Sequence, residues 1–151
     1  MSGTIAWDER HQKLYFAITT GTAWEKVWVI YNYSLLTRRV ARFTSTTAGE
    51  LGLGEVSPSG QYLAYLKAHH TAPALGCGAN TDIEIVDLWN LSVISPALDF
   101  TKSDGLVSIT RLSWPSQSSL EHTGAARRPD CTEILDGQVD GRIEVRSLAF
   151  H

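Results

Sequence analysis

The sequence has few cysteines and no long apolar run. Among 151 residues there are two cysteines, and no apolar stretch approaches the roughly 20 residues of a transmembrane helix. Cys77 and Cys131 are too few for a disulfide scaffold and too far apart in sequence for a zinc site. The sequence does not decide whether these two cysteines form a disulfide bond. The N-terminus, MSGTIAWDERHQ, becomes charged too early for a signal peptide, which favours free thiols and a cytoplasmic location.

A strong charge of one sign is also missing. The formal net charge is −3, so there is no electrostatic reason to expect nucleic acid or an anionic membrane as a partner. Short basic clusters occur at Arg38, Arg39 and Arg42 and again at Arg127 and Arg128. In a chain that is acidic overall, they indicate solvated surfaces. We therefore expect neither nucleic acid nor a membrane as a partner.

Helical periodicity is absent as well, whereas strand signals are frequent. No segment keeps a 3.6-residue apolar repeat over three turns. Residues 13–19 (KLYFAIT) and 61–68 (QYLAYLKA) carry aromatic and aliphatic side chains in short runs, as buried strands do. Residues 57–60 (SPSG) predict a compact turn, and Asp140-Gly141 predicts a tight hairpin. The sequence predicts an all-β fold.

A pattern that recurs three times organises these strands. Each repeat has a strand, a polar turn and a second strand, and then a β-branched stretch that predicts a third strand. The hairpins are residues 4–16, 55–65 and 109–135, and the stretches that follow are 27–33, 83–88 and 143–148. Repeats of this kind are typical of the four-stranded blades of β-propellers, which normally close with 4–8 blades. The sequence therefore predicts a partial β-propeller of about three antiparallel blades.

The repeat also predicts the bounds of each blade within a single domain of residues 1–151. Blade 1 is expected at about 3–44, blade 2 at about 53–100 and blade 3 at about 108–151, with residues 44–54 as a connecting loop. In blade 3 the three expected strands are 108–114, 132–139 and 142–150, with an insertion at 117–129. The outer strand of blade 3 is expected to be missing.

Residues 56–65 (VSPSGQYLAY) resemble a known blade signature. They are similar to the turn that opens a blade in TolB-like propellers and in the propeller domains of prolyl oligopeptidase-type enzymes, and WD40-type repeats share its general form. Residues 82–88 (DIEIVDL) fit the later strand of that signature. The resemblance implies an architecture, and this architecture hosts unrelated functions. The catalytic triad of the prolyl oligopeptidase type lies on a separate α/β-hydrolase domain, so no peptidase activity is implied for this chain.

Few residues stand out as candidates for chemistry. Ser57 lies on a turn between two strands, whereas a nucleophile elbow joins a strand to a helix, so we expect its hydroxyl to cap the turn. His69 and His70 are adjacent, and adjacent strand residues point to opposite faces, which disfavours a shared metal. We expect no catalytic residue, no metal and no cofactor.

The binding candidates lie on one rim of the predicted propeller, where the loops between the second and third strands and between blades meet. They are Trp24, His69 and His70. Trp24 belongs to an aromatic stretch with Trp28, Tyr31 and Tyr33. This stretch predicts packing between blades, and a surface for contact with a partner is the alternative.

Three blades leave two blade faces uncovered, and such surfaces promote aggregation unless they are covered. We therefore expect a non-catalytic scaffold for protein or ligand binding that completes a propeller by self-association or with a second chain. The alternative is the substrate-gating propeller part of a split prolyl oligopeptidase-type hydrolase. A third possibility is a truncated remnant with no independent role.

Overall fold

The computed structural model describes residues 2–21, 26–46, 50–69, 80–96, 106–127, 133–138 and 140–148. Within these ranges almost all regular structure is strand, which confirms the all-β prediction. No helix in these ranges is long and apolar enough to cross a membrane. The elements are β1 (Ser2–Asp8), β2 (Lys13–Gly21), β3 (Lys26–Ser34), β4 (Arg39–Thr46), β5 (Glu50–Val56), β6 (Tyr62–His69), β7 (Asn80–Asp87), β8 (Ser92–Ile94), β9 (Leu106–Ser113), β10 (Ser119–Arg127), β11 (Glu133–Gln138), β12 (Gly141–Glu144) and a 3₁₀ turn at Val145–Ser147.

The strands form three antiparallel sheets, which we call blade 1 (β1–β4), blade 2 (β5–β8) and blade 3 (β9–β12). In blades 1 and 2 the strands follow one another in chain order across the sheet. Their central strands keep the same register: Leu14 pairs with Trp7 and Tyr33, and Leu63 occupies the equivalent place in blade 2. The predicted partial propeller of about three four-stranded blades is confirmed.

Blade 3 corrects the predicted strand order. Its second strand is β10, which lies where the sequence suggested an insertion, and residues 132–139 are not the second strand. Both β11 and β12 pair with the same edge of β10, and the register of the Ala125–Gln138 pair continues into the His122–Gly141 pair, with a shift only beyond Ala125. Asp140 and Gly141 therefore join two collinear segments, so the predicted hairpin is wrong.

The reason for this error is the composition of β10, whose sequence SLEHTGAAR contains glycine and alanine, residues of low strand propensity. Its place in the sheet requires that glycine, because a Cβ on Gly124 would lie 2.5 Å from the carbonyl oxygen of Ser108. Because β11 and β12 lie end to end, blade 3 has three strand positions across its sheet, and within the described ranges the fourth, outer position is not occupied, as expected. The predicted connecting loop at 44–54 is also partly strand, since β4 ends at Thr46 and β5 begins at Glu50.

Blade 2 is packed on both sides. Along β6, Leu63 and Tyr65 belong to a core cluster with blade 1, whereas Ala64 and Leu66 belong to a cluster with blade 3. Adjacent strand residues point to opposite faces, so a strand that is apolar at every position is buried on both sides. The blade 1–blade 2 cluster contains Ile5, Ala6, Tyr15, Ala17, Trp28, Ile30, Leu63, Tyr65 and Val86. The blade 2–blade 3 cluster contains Tyr62, Ala64, Leu66, Ile83, Ile85, Val107, Ile109, Leu112, Leu120, Ala126 and Val145.

The turns between the first two strands of blades 1 and 2 lie against each other. Ser57 caps its turn as expected, because its Oγ accepts a hydrogen bond from the Tyr62 amide at 3.0 Å. Gly60 has a φ of +75°, and a Cβ there would lie 2.4 Å from the His11 ring. Asp8 holds that ring through a contact of 2.8 Å between its Oδ2 and His11 Nδ1. The positive φ therefore favours glycine at this position, where the absence of a side chain also leaves room for the His11 ring.

Candidate interaction surface

The residues predicted to bind a partner lie outside what the structure describes. Trp24 and His70 fall outside the described residues, as do Cys77 and Cys131, and His69 ends β6 with only its backbone described. Whether Trp24, His69 and His70 bind anything therefore stays a prediction. The aromatic stretch that begins at Trp24 contributes to both faces of blade 1. Trp28 packs between blades 1 and 2, whereas Tyr31 and Tyr33 lie on the opposite side of blade 1.

That opposite side of blade 1 is apolar across the four strands. Tyr15 and Ala17 point into the cluster with blade 2, so Leu14, Phe16 and Ile18 point away from it. Residues paired directly across antiparallel strands share a face, and the pairing extends this surface to β1, β3 and β4. We call it the blade-1 outer face. Its residues are Trp7, Leu14, Phe16, Ile18, Val29, Tyr31, Tyr33, Val40 and Arg42.

Part of the blade-1 outer face is accessible, although Val29 on it is buried. Trp7 is 43%, Ile18 37% and Val40 58% exposed. Phe16 and Tyr31 are half-buried and stack with ring centroids 5.6 Å apart. Neither core cluster of the described residues includes a residue of this face. The face therefore resembles the interior in composition, although three of its large side chains are exposed.

The outer face of blade 3 has the opposite character. Leu120 and Ala126 point into the cluster with blade 2. Because successive strand residues point to opposite faces, the odd-numbered residues of β10 form a surface that faces away from blade 2. There Ser119 Oγ donates a hydrogen bond of 2.6 Å to Glu144, and Arg142 pairs with Glu121. That carboxylate raises the pKa of the Arg142 guanidinium. The blade-3 outer face comprises Ser108, Arg111, Ser113, Ser119, Glu121, Thr123, Ala125, Gln138, Arg142 and Glu144.

An ion pair lies in the packing between blades 1 and 2. Glu84 accepts hydrogen bonds from the Tyr65 hydroxyl and from Lys67 Nζ, the latter at 3.0 Å. Burial, together with the Glu84 charge, raises the pKa of Tyr65. On the facing blade, Trp28 Nε1 is buried without a hydrogen-bond partner in the described part of the chain. Because Tyr65 and Glu84 are buried and hydrogen-bonded to each other, we assign the group to packing.

Sequence reasoning missed this ion pair. The signal was present in β7, where Glu84 stands between Ile83 and Ile85, both fully buried. A carboxylate within a buried apolar strand needs a partner. To identify that partner one must know how β6 pairs with β7, and this pairing places Glu84 directly opposite Tyr65.

Two clefts flank Pro58 on the rim formed by the turns between first and second strands. One, of about 440 Å³, is lined by residues 7–10 and 56–58. The other, of about 300 Å³, is lined by Glu55, Val56, Pro58 and residues 110–114. Trp114 spans the second cleft, since its Nε1 donates to the Glu55 carbonyl at 2.9 Å. No group of three or more metal-binding side chains occurs in the described part of the chain.

Comparisons with known proteins bear on the fold. No family model matches the sequence, and no curated protein matches it. Among solved structures, the acylaminoacyl peptidase of Pyrococcus horikoshii is similar, with a TM-score of 0.58 and 13% sequence identity. The match covers 99% of this chain and 24% of that chain. The chain has a propeller-like fold. It spans about a quarter of the length of the peptidase, and at this identity the likeness concerns the fold alone.

Proposed function

We propose that this chain is a non-catalytic, cytoplasmic, protein-binding scaffold that completes a propeller by associating with further blades. The observation that carries the proposal is the blade-1 outer face. Its aromatic and aliphatic residues match those that pack blades 1 and 2 together, yet Trp7, Ile18 and Val40 remain exposed. Contiguous apolar surfaces of this kind mark sites of protein interaction.

Two finer points belong to the same proposal. The turn at 57–60 and the strand that follows it support membership of the TolB-like, prolyl oligopeptidase-type or WD40-like group of propellers. Trp24, His69 and His70 are proposed as further contacts on the other rim, where loops are free to vary without disturbing the blades.

A second candidate is the substrate-gating part of a split hydrolase. The observation that favours it is the structural similarity to an acylaminoacyl peptidase. In that case the partner on the blade-1 outer face would be a chain that carries a serine nucleophile, and that chain would react with a fluorophosphonate probe.

Site-specific photo-crosslinking tests the scaffold proposal. Benzoylphenylalanine is placed at position 18, on the blade-1 outer face, and in a matched control at position 125, which is exposed on the blade-3 outer face. We expect discrete protein adducts from position 18 in cells that produce the chain, and none from position 125. Equal labelling from both positions, or none from either, would overturn the proposal. A fluorophosphonate-reactive adduct would favour the hydrolase candidate instead.

A further inference from the structure

We propose that the partner on the blade-1 outer face is a second copy of this chain, with blade 1 of one copy facing blade 1 of the other. This inference rests on the proposed association through the blade-1 outer face, and it adds the identity of the partner and the geometry of the contact, which joins two copies without closing a ring. It differs from the simplest way to close a ring, in which blade 1 of each copy would pack on blade 3 of the other.

The blade-3 outer face argues against that ring. Four of its charged and polar side chains pair within the face, as Glu121 with Arg142 and Ser119 with Glu144. Covering these groups with a face that is mostly aliphatic and aromatic would remove them from water, and only the donors of Trp7, Tyr31, Tyr33 and Arg42 could hydrogen-bond in exchange. The two outer faces therefore do not complement each other.

Two blade-1 outer faces do complement each other. A two-fold contact presents the same patch on both sides, so it suits a surface whose centre is apolar. The charged side chain on the described part of this face is Arg42, which is exposed and lies on β4 at the edge of the sheet. It can stay in solvent at the rim of the contact, as charged groups do in protein interfaces.

The area of the blade-1 outer face suits a weak, reversible dimer. Four strands about 4.8 Å apart, each about seven residues long at about 3.3 Å per residue, span a surface of about 19 by 23 Å. That is about 440 Å² in projection for each copy, and side-chain relief makes the accessible area larger. Stable interfaces bury about 800 Å² of accessible surface per partner, so a reversible dimer of modest size is expected. Two sheets would pack face to face about 10 Å apart, as in a β-sandwich.

Sedimentation equilibrium of the purified full chain from about 1 to 100 μM tests the inference. We expect the wild type to approach twice the monomer mass across this range. Ile18→Asp and Val40→Asp each place a carboxylate on the blade-1 outer face, and each is expected to weaken the dimer at least about tenfold. Ala125→Asp makes the same change on the blade-3 outer face and is expected to dimerise like the wild type. Far-UV circular dichroism verifies that all three variants fold.

Each other outcome overturns the inference. A wild type that stays monomeric shows that the partner is not a second copy, and crosslinking from position 18 to a different chain would then leave the proposed function standing. A dimer that Ala125→Asp also disrupts points to the blade 1–blade 3 ring. A dimer that survives both Ile18→Asp and Val40→Asp uses another surface. Should the aspartates unfold the chain, Ile18→Ser and Val40→Ser replace them under the same criteria.

Discussion

The outer faces of blades 1 and 3 belong to sheets built in the same way, yet one is apolar and the other polar. In β2 successive residues Leu14, Tyr15 and Phe16 are all aromatic or aliphatic, whereas in β10 the apolar Leu120 alternates with Ser119 and Glu121. The first pattern is typical of a strand that is covered on both sides, and the second of a strand with one solvated side. The three blades therefore end in a mostly apolar face on one side and in a polar face on the other.

The largest expected effect comes from a residue on a buried face. Leu63 is fully buried between blades 1 and 2, so Leu63→Ala should lower the free energy of unfolding by about 2–5 kcal/mol through lost burial and an unfilled cavity. Val40 lies on the blade-1 outer face and is 58% exposed, so Val40→Ala should change it by less than about 0.5 kcal/mol at protein concentrations that keep the chain monomeric. Urea denaturation measures both. Equal losses would mean that the outer face is as buried as the inner one.

A second comparison sets the buried ion pair against the exposed one. Lys67→Met leaves Glu84 in the packing without its cation and should lower the free energy of unfolding by about 3 kcal/mol. Arg142→Met breaks the exposed pair with Glu121 and should leave the stability unchanged within error. Thermal or urea unfolding distinguishes the two. If Arg142→Met proved the more damaging change, blade 3 would have a buried partner on its outer face.

The free energy of unfolding should also fall at alkaline pH, because a tyrosine is buried on the inner face of blade 1. Burial, with a smaller contribution from Asp8, raises the pKa of Tyr15 from 10.0 to about 12. The unfolded chain therefore loses its phenolic proton first, so the stabilisation is complete below pH 10 and is lost as the pH rises from about 10 to 12. The loss of stability that Tyr15 contributes over this range is about 2–3 kcal/mol. Tyr65, whose pKa is raised for similar reasons, acts in the same direction. Tyr15→Phe should make the decline of stability above pH 10 shallower. An unchanged slope would refute this explanation.

The smallest expected loss of stability comes from a hydrogen bond between blades 2 and 3. Trp114→Phe removes the hydrogen bond to the Glu55 carbonyl and should reduce the free energy of unfolding by about 1 kcal/mol. Trp89 is 69% exposed at the turn after β7, and Trp89→Phe serves as the control, with no change expected. Loss of stability in the control alone would show that the exposed turn has a partner.

The fold was largely predictable because local patterns determine its main elements. The apolar runs of β2 and β6 and the Ser57–Gly60 turn each have a clear signal in sequence, and the structure places them as expected. The strand β10 was missed because its small and polar residues form a strand only through pairing with β9 and with β11 and β12. Strand pairing depends on residues distant in sequence, and local propensity does not report it.

The candidate surface was only half predictable. From the sequence, the aromatic stretch predicts packing between blades, with a contact surface as the alternative. In the structure Trp28 faces blade 2, whereas Tyr31 and Tyr33 face away from it. The sequence alone does not tell which side of an apolar strand has a neighbouring sheet. The Glu84–Lys67 pair likewise depends on the register between β6 and β7, which are not adjacent in sequence.

The most direct test of the central claim is the melting temperature as a function of protein concentration. When association occurs only in the folded state, the melting temperature rises with concentration. We expect such a rise for the wild type and for Ala125→Asp, and a much smaller rise for Ile18→Asp. A wild-type melting temperature that does not change with concentration, or a rise of the same size in Ile18→Asp, would contradict the claim that the blade-1 outer face joins two copies of the chain.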